Sequence, residues 1–187
     1  MFTIADRAPT PNPNAFKFHT GSPLVENGSL NFASMAEASK LPLASELFRL
    51  GTVTAVMVAE DFVSVSGSED TDWDEAEGVV ARELAEWSVA DANRLAEQQA
   101  ADATARTAGQ SSHELYDPVN AVLEQYVRPA LAGDGGGIEL VGIEGKTVTI
   151  RYQGACGSCP TSRANTLMAI ENLLQHQIDP EIEVVPE

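Results

Sequence analysis

Alternating and helix-spaced apolar positions predict an α+β chain built from two small domains. In the first domain, apolar residues alternate as they do in strands over residues 15–19, 29–33, 53–58 and 62–66. A helix is predicted to begin at Pro42 and to end before Gly51, because proline suits a first helical turn and glycine suits the position after the last one. A second helix is predicted to follow Asp72, an N-cap residue with Glu75 three positions later.

The second domain has a clearer order of elements. A helix is predicted by apolar residues that share one face: Leu115, Val119, Val122 and Tyr126. Pro129 should end or bend this helix near Leu131. A hairpin is predicted next, with strands over residues 138–143 and 147–152. A helix then begins at Pro160, and a last strand covers residues 181–185. Since a strand–helix–strand crossover favours parallel pairing, we expect a three-stranded mixed sheet covered by two helices, with a Cys-x-x-Cys loop at a helix N-terminus.

A stretch of biased composition separates the two domains. Residues 88–112 are rich in alanine, glutamine and small polar residues, and they contain almost no large apolar side chain that could anchor a core. We therefore predict an N-terminal domain over residues 1–87, a solvated Ala/Gln-rich linker over 88–112 and a C-terminal domain over 113–187. Alanine favours helix, so any helical structure in the linker should lie near its start.

Charge and hydropathy exclude some classes of partner. The net charge of −17 argues against nucleic acid, because phosphates select basic surfaces, and no apolar run is long enough to span a membrane. Acidic residues concentrate between Glu60 and Glu77, as a solvated loop and helix start or as a docking face for basic partners. The first residues have the pattern of neither a secretory signal nor a transit peptide, so a cytoplasmic location is expected.

The candidate chemistry lies in residues 154–160, called the cysteine loop below. It contains the two cysteines of the chain, Cys156 and Cys159, between a predicted strand and a predicted helix. The N–H groups and partial positive charge at a helix start favour thiolate over thiol. Closed thiolate sites for zinc or an iron–sulfur cluster usually need four ligands, and this chain has two cysteines. A metal site built from sulfur alone therefore requires a second chain.

The residues alone leave other functions open for this pair. A thiol–disulfide redox protein also places Cys-x-x-Cys at a helix start, although no aromatic residue precedes Cys156 and a hairpin replaces the usual βαβ context. A dimeric zinc site is a second alternative because four sulfurs suit zinc, although structural zinc sites usually draw their ligands from one chain. An interaction protein with an incidental cysteine pair is the third alternative.

Two further loops have unusual compositions. Residues 133–137, the glycine loop, look like a phosphate-binding loop, but they follow a helix and precede a strand, which is the reverse of the phosphate-binding order. A helix stop with close backbone packing is the better interpretation. Residues 10–14, Thr-Pro-Asn-Pro-Asn, form the Pro-Asn loop, whose prolines should make it stiff and exposed. It is either a turn that directs the first strand or a recognition loop.

These motifs together resemble a known family. In the second domain the matching pieces are Arg128-Pro129-Ala130-Leu131, then Asp134-Gly135-Gly136 leading into Ile138, and the cysteine loop followed by Ser162. Their order and spacing resemble the C-terminal domain of NifU, the Nfu module of iron–sulfur cluster assembly. The Pro-Asn loop, followed by Lys17-Phe18, resembles the N-terminal domain that accompanies this module in Nfu proteins.

The resemblance implies a scaffold or carrier rather than an enzyme. Nfu domains hold a [4Fe–4S] cluster between two protomers, so it implies Cys156 and Cys159 as the metal and cofactor ligands, with the same pair supplied by a second chain. The implied partners are a second copy of the chain on cluster binding, an upstream scaffold as cluster donor, and apo iron–sulfur proteins as acceptors. The first domain, which has no ligand cluster, is interpreted as a docking or positioning module.

Overall fold

The computed structural model describes residues 2–107, 113–157 and 160–187, and it confirms the α+β class. These residues form eight strands: β1 (Ile4–Pro9), β2 (Ala15–Thr20), β3 (Leu30–Phe32), β4 (Val53–Val58), β5 (Phe62–Gly67), β6 (Gly136–Glu144), β7 (Thr147–Gly154) and β8 (Glu183–Pro186). Their helices are α1 (Met35–Ala38), α2 (Pro42–Arg49), α3 (Trp73–Ala85), α4 (Val89–Thr107), α5 (Tyr116–Val122), α6 (Arg128–Gly133) and α7 (Pro160–Gln177), with a π-helical turn at Leu123–Val127. None of the helices in the described ranges is long and apolar enough to cross a membrane.

The first half of the chain forms a five-stranded antiparallel sheet with strand order β1-β2-β5-β4-β3. The predicted helix ends are confirmed, since α2 begins at Pro42 and Gly51 follows it with a φ of +76°. Asp72 caps α3 by accepting hydrogen bonds from the backbone N–H groups of Asp74 and Glu75. One face of the sheet packs on these helices through a core that includes Phe18, Leu47, Val63, Val65, Val80 and Leu84.

The segment predicted as a solvated linker is largely a helix packed on the first sheet. Ala92 and Ala96 of α4 are 1% and 8% exposed and belong to the first core. Gln99 binds the edge strand β3, because its Nε2 donates to the backbone oxygen of Asn31 and its Oε1 accepts from the Asn31 N–H, both at 3.0 Å. The prediction that this stretch cannot contact a core is therefore wrong. Residues 108–112, the rest of the predicted linker, lie outside the described residues.

The second half forms a three-stranded sheet with strand order β6-β7-β8. β6 and β7 form an antiparallel hairpin around Gly145, whose φ is +60°, and β8 lies parallel to β7. The helical segment before β6 and helix α7 pack on this sheet through a second core that includes Val119, Leu123, Ile150, Ile170, Leu174 and Ile182. Because β7 ends at Gly154, it leads the chain directly into the cysteine loop.

The helical segment before the second sheet differs from its prediction. Tyr126, predicted on the buried face, is 48% exposed. The buried stripe instead has a four-residue spacing: Val119, Leu123, Val127 and Leu131. A π-helical turn, with its wider i→i+5 bonding, precedes Pro129. Since proline has no N–H to donate, this wider turn lets the chain continue as α6 instead of ending at the proline.

Candidate metal centre

Cys156 lies in the turn that follows β7 and is buried, with 8% of its surface exposed. It packs among the apolar residues of the second core. Cys159, the other predicted ligand, lies outside the described residues. The structure therefore places one of the two predicted ligands, at the edge of a core and directly after a strand.

The glycine loop lies against the cysteine loop with no side chain between them. A Cβ atom on Gly136 would lie 2.4 Å from the sulfur of Cys156 and 2.8 Å from its backbone nitrogen. The backbone oxygen of Gly135 accepts a hydrogen bond from the N–H of Ala155 at 3.1 Å. Gly135 and Gly154 have φ values of +77° and +57°, a region that favours glycine. The predicted helix stop and close backbone packing are both confirmed, since α6 ends at the first residue of this loop.

The Pro-Asn loop of the first domain contacts the cysteine loop directly. The side-chain Nδ2 of Asn12 donates a hydrogen bond of 2.9 Å to the backbone oxygen of Ala155, 143 residues away and next to Cys156. The Oδ1 of the same side chain accepts from the N–H of Asn14 at 3.0 Å, which fixes the loop as an Asx turn between β1 and β2. Asn12 is 4% exposed, so the expectation of an exposed loop is wrong for its central residue.

The first sheet also supports the glycine loop from below. Lys17, Ser64 and Met57 are cross-strand neighbours on β2, β5 and β4. Lys17 Nζ donates a hydrogen bond of 2.7 Å to the backbone oxygen of Gly133 and lies 5.0 Å from the centroid of the Phe62 ring. A Cβ atom on Gly135 would lie 2.9 Å from Lys17 Cγ. The second face of the first sheet therefore packs against the glycine loop, which in turn contacts Cys156.

A small cavity of about 190 Å³ lies beside Cys156. Both halves of the chain line it, with Pro11, Asn12, Leu131, Asp134, Ala155, Cys156, Asn165 and Thr166. One wall is thus the Pro-Asn loop. Residues of the first domain thus lie beside the cysteine loop, which is consistent with the low exposure of Cys156.

The donor set around Cys156 is limited. Within the described residues, no group of three or more histidine, cysteine, aspartate or glutamate side chains could hold a metal ion. Thiolate is a soft ligand that suits zinc, copper(I) and iron–sulfur clusters. The predicted pair, Cys156 and Cys159, therefore remains the candidate ligand set of one chain.

Asn12 and Lys17 were not predicted to contact the site. Each reaches it across more than a hundred residues of sequence, and neither lies in a periodic pattern that pairs it with the second domain. The adjacent glycines of the glycine loop were a signal of a close neighbour, but glycine does not indicate which neighbour.

Comparison with known proteins identifies both halves of the chain. Residues 119–185 match the family described as NifU-like domain, and residues 5–90 match the one described as scaffold protein Nfu/NifU N terminal. The human protein named NFU1 iron-sulfur cluster scaffold homolog, mitochondrial, is 30% identical over 177 residues, which cover 94% of this chain and 68% of the relative. NifU-like protein 4, mitochondrial, from Arabidopsis thaliana is 32% identical over 171 residues, covering 90% of this chain and 60% of the relative.

The relatives also correct one prediction. Two Arabidopsis thaliana proteins and the human protein are named as mitochondrial, which contradicts the expected cytoplasmic location. The chain spans about 60% of the length of the Arabidopsis thaliana relatives. A solution NMR structure of a NifU-like protein from Saccharomyces cerevisiae is 24% identical, with a TM-score of 0.40, over 45% of this chain and 77% of that one. The two matched domains and the identity to the human relative over most of both chains show that this chain belongs to the NifU-like (Nfu) family.

Proposed function

We propose that the protein is an iron–sulfur cluster scaffold or carrier, and that two protomers hold a [4Fe–4S] cluster between their Cys156 and Cys159 pairs. The observation that carries the proposal is the setting of Cys156, a buried thiol packed on glycine backbone at the end of a strand. Relatives that match most of this chain are named iron-sulfur cluster scaffold homologs.

The ligand count supports a site shared by two chains. Cubane clusters are usually held by four thiolates, and each chain has two cysteines. A two-fold axis through the cluster would bring the same surface of each protomer together and place the four sulfurs symmetrically. Such a site suits a carrier, because each protomer holds half of the ligands. Separation of the protomers exposes the cluster to the thiolates of an acceptor.

The glycine backbone beside Cys156 supports a role of this thiol as a ligand. Gly136 places backbone, and no side chain, next to the sulfur. Backbone N–H groups close to cluster sulfurs are one means by which proteins tune a bound cluster. The cluster is delivered as cargo to apo iron–sulfur proteins after an upstream scaffold has supplied it.

Anaerobic reconstitution with iron and sulfide tests the proposal. Loaded protein should sediment as a dimer with about one cluster per two chains, and protein without cluster should be largely monomeric. Metal analysis and the visible spectrum separate the cluster from zinc, and a thiol titration separates it from a disulfide. A fully loaded monomer, or a dimer that holds zinc alone, would contradict the proposal.

Cysteine variants test the ligand assignment. Cys156→Ser and Cys159→Ser should each abolish stable cluster binding, because serine is a poor ligand for this cluster, while circular dichroism shows an intact fold. Retention of the cluster in either variant would exclude that residue as a ligand. Loss of the fold in the cluster-free variants would instead indicate a structural role for the thiol.

A further inference from the structure

We infer that Asn12 is a positioning residue, through which the first domain docks on the cysteine loop of the same chain and restricts access to Cys156. The contact joins the side-chain amide of Asn12 to the backbone oxygen of Ala155, the residue before the cysteine. The first domain thereby holds the cysteine loop in a closed arrangement. This assigns the Pro-Asn loop a partner within its own chain.

Both ends of the Asn12 side chain are used, which distinguishes this contact from an incidental one. Its Nδ2 binds across the two domains, and its Oδ1 binds Asn14 within the loop. Thr10 adds a hydrogen bond from its hydroxyl to the backbone oxygen of Asn12 at 2.9 Å. Buried polar atoms are almost always hydrogen-bonded, and those of the Asn12 side chain bind protein groups on both sides. The loop therefore presents one amide donor in a fixed direction.

The contact extends beyond this one hydrogen bond. Lys17 binds the oxygen of Gly133, and Met57 lies under Gly154, where a Cβ atom would be 3.0 Å from its sulfur. The first contact supports the glycine loop, and the second supports the end of β7. These contacts with the first sheet and the hydrogen bond from Asn12 together fix the position of the backbone that carries the thiol.

The consequence for cluster handling rests on the function proposed above. A donor, an acceptor or a second protomer must reach the sulfur of Cys156, which is 8% exposed and faces a cavity walled by the Pro-Asn loop. Movement of the first domain away from the cysteine loop would widen that access. Separation of the first domain from the cysteine loop is thus a step that precedes cluster loading or release.

Substitution of Asn12 by aspartate removes the amide donor that binds Ala155. The introduced carboxylate would still accept from Asn14, so the Asx turn is retained, but it offers no donor to the oxygen of Ala155. Asn14→Asp is the matched control, because it adds the same charge to the same loop. Asn12→Leu keeps a similar volume without charge and serves as a second variant if the aspartate variant is unstable.

The measurement is the rate of alkylation of Cys156 by iodoacetamide in the full-length chain without cluster. A Cys159→Ser background leaves one thiol, so the rate reports on Cys156 alone. Loss of the one net hydrogen bond to Ala155 should accelerate alkylation by about 2- to 10-fold in Asn12→Asp. Asn12→Leu, which also loses the bond from Asn14, should accelerate it at least as much. The added negative charge of aspartate disfavours the thiolate, so an acceleration cannot come from easier ionisation of the thiol. The uncharged Asn12→Leu variant separates loss of the hydrogen bond from burial of a charge.

Several results would overturn the inference. An unchanged or slower rate in folded Asn12→Asp and Asn12→Leu would show that the contact does not restrict the thiol. An equal acceleration in Asn14→Asp would assign the effect to the loop as a whole instead of to the Asn12 amide. Because the assay contains neither iron nor sulfide, its outcome is independent of cluster binding. Failed reconstitution with accelerated alkylation would therefore reject only the proposed function.

Discussion

Gly136 and Cys156 are in backbone-to-sulfur contact, so close that a Cβ atom on the glycine would lie 2.4 Å from the thiol sulfur. Such a distance is far inside van der Waals contact, and the backbone nitrogen of Cys156 would be 2.8 Å from the same atom. The backbone of the cysteine loop cannot yield as a flexible side chain does. The glycine is therefore required by the position of the thiol, and not by a turn of the chain.

Gly136→Ala is expected to displace the cysteine loop. The overpacking should lower the free energy of unfolding by about 1–3 kcal/mol, because either β6 or the backbone at Cys156 must shift. Displacement of the thiol should also lower cluster occupancy after reconstitution, measured as iron per chain. Chemical unfolding of the cluster-free protein measures the first effect separately.

Gly133→Ala is the matched control for this substitution. It lies in the same glycine loop, but a Cβ atom there has no heavy atom within 4 Å. We expect unchanged cluster occupancy and a small change in stability. Equal loss of occupancy in both variants would show that the loop is sensitive to any side chain, and that the contact with Cys156 is not the cause.

A second prediction concerns the docking of α4. Gln99→Ala removes two hydrogen bonds to the backbone of Asn31, at the outer edge of β3. The free energy of unfolding of the first domain should fall by about 1–3 kcal/mol. Urea unfolding followed by the fluorescence of Trp73 and Trp87, both packed on the first core, measures this change.

Gln98→Ala provides the comparison for Gln99. Gln98 is the adjacent residue of the same helix and is exposed, so its replacement by the better helix former should leave stability unchanged or slightly higher. If both variants unfold at the same urea concentration as the natural chain, α4 does not stabilise the first domain. The segment would then behave as the solvated linker that its composition indicates.

Local signals in the sequence predicted the elements that have local causes. Pro42, Gly51 and Asp72 mark helix ends through their own backbone preferences, and the structure places the ends of α2 and α3 there. β1 was missed because it is a largely exposed edge strand without alternating apolar residues. The π-helical turn was missed because apolar spacing alone assumes a uniform helical period.

The sequence could propose a ligand pair, but it could not predict what surrounds Cys156. Cys156 and Cys159 were identified because two cysteines at this spacing have few functions, and their ligand role remains a proposal. The contact between Asn12 and Ala155 depends on how the two sheets of the chain pack together. No periodicity along one chain records such a contact. The packing of α4 was missed because its sequence has few large apolar residues. The methyl groups of Ala92 and Ala96 are enough where the helix lies close to the first core.

A third prediction follows from the charges at the far end of the second sheet. Lys146, in the turn between β6 and β7, forms an ion pair with Asp179 at 2.9 Å and a second one with Glu181. A hydrogen bond from the N–H of Glu181, and then one from the Lys146 ammonium, lower the pKa of Asp179. Asp179 therefore stabilises the fold when it is ionised in both the folded and the unfolded chain.

Asp179→Asn should lower the melting temperature at neutral pH, and the difference from the natural chain should vanish in acid. The contribution of a carboxylate with a lowered pKa is complete above its unfolded pKa, about 3.9 for aspartate, and is lost as pH falls through the folded value. Melting curves between pH 7 and pH 3 measure this convergence. Asp70→Asn, at an exposed position of the first half, is the control, and an Asp179→Asn difference that persists at low pH would exclude an electrostatic cause.

The last prediction asks whether the two domains dock as one unit. Lys17→Met keeps the aliphatic packing beneath Gly135 but removes the ammonium that donates to Gly133. If a single docked state covers Cys156, this variant should also accelerate alkylation of Cys156, although the hydrogen bond from Lys17 is to the glycine loop. In the double variant with Asn12→Asp, the two accelerations should multiply, since both substitutions weaken the same closed state.

Lys40→Met tests whether this effect is specific. Lys40 is an exposed lysine of the same domain, so its substitution makes the same change in charge without removing the bond to Gly133. Alkylation of Cys156 should then proceed at the rate of the natural chain. If Lys17→Met also leaves that rate unchanged while Asn12→Asp raises it, the Pro-Asn loop opens alone and the sheet beneath the glycine loop stays in place. A local loop movement would then replace domain opening as the event that exposes the thiol.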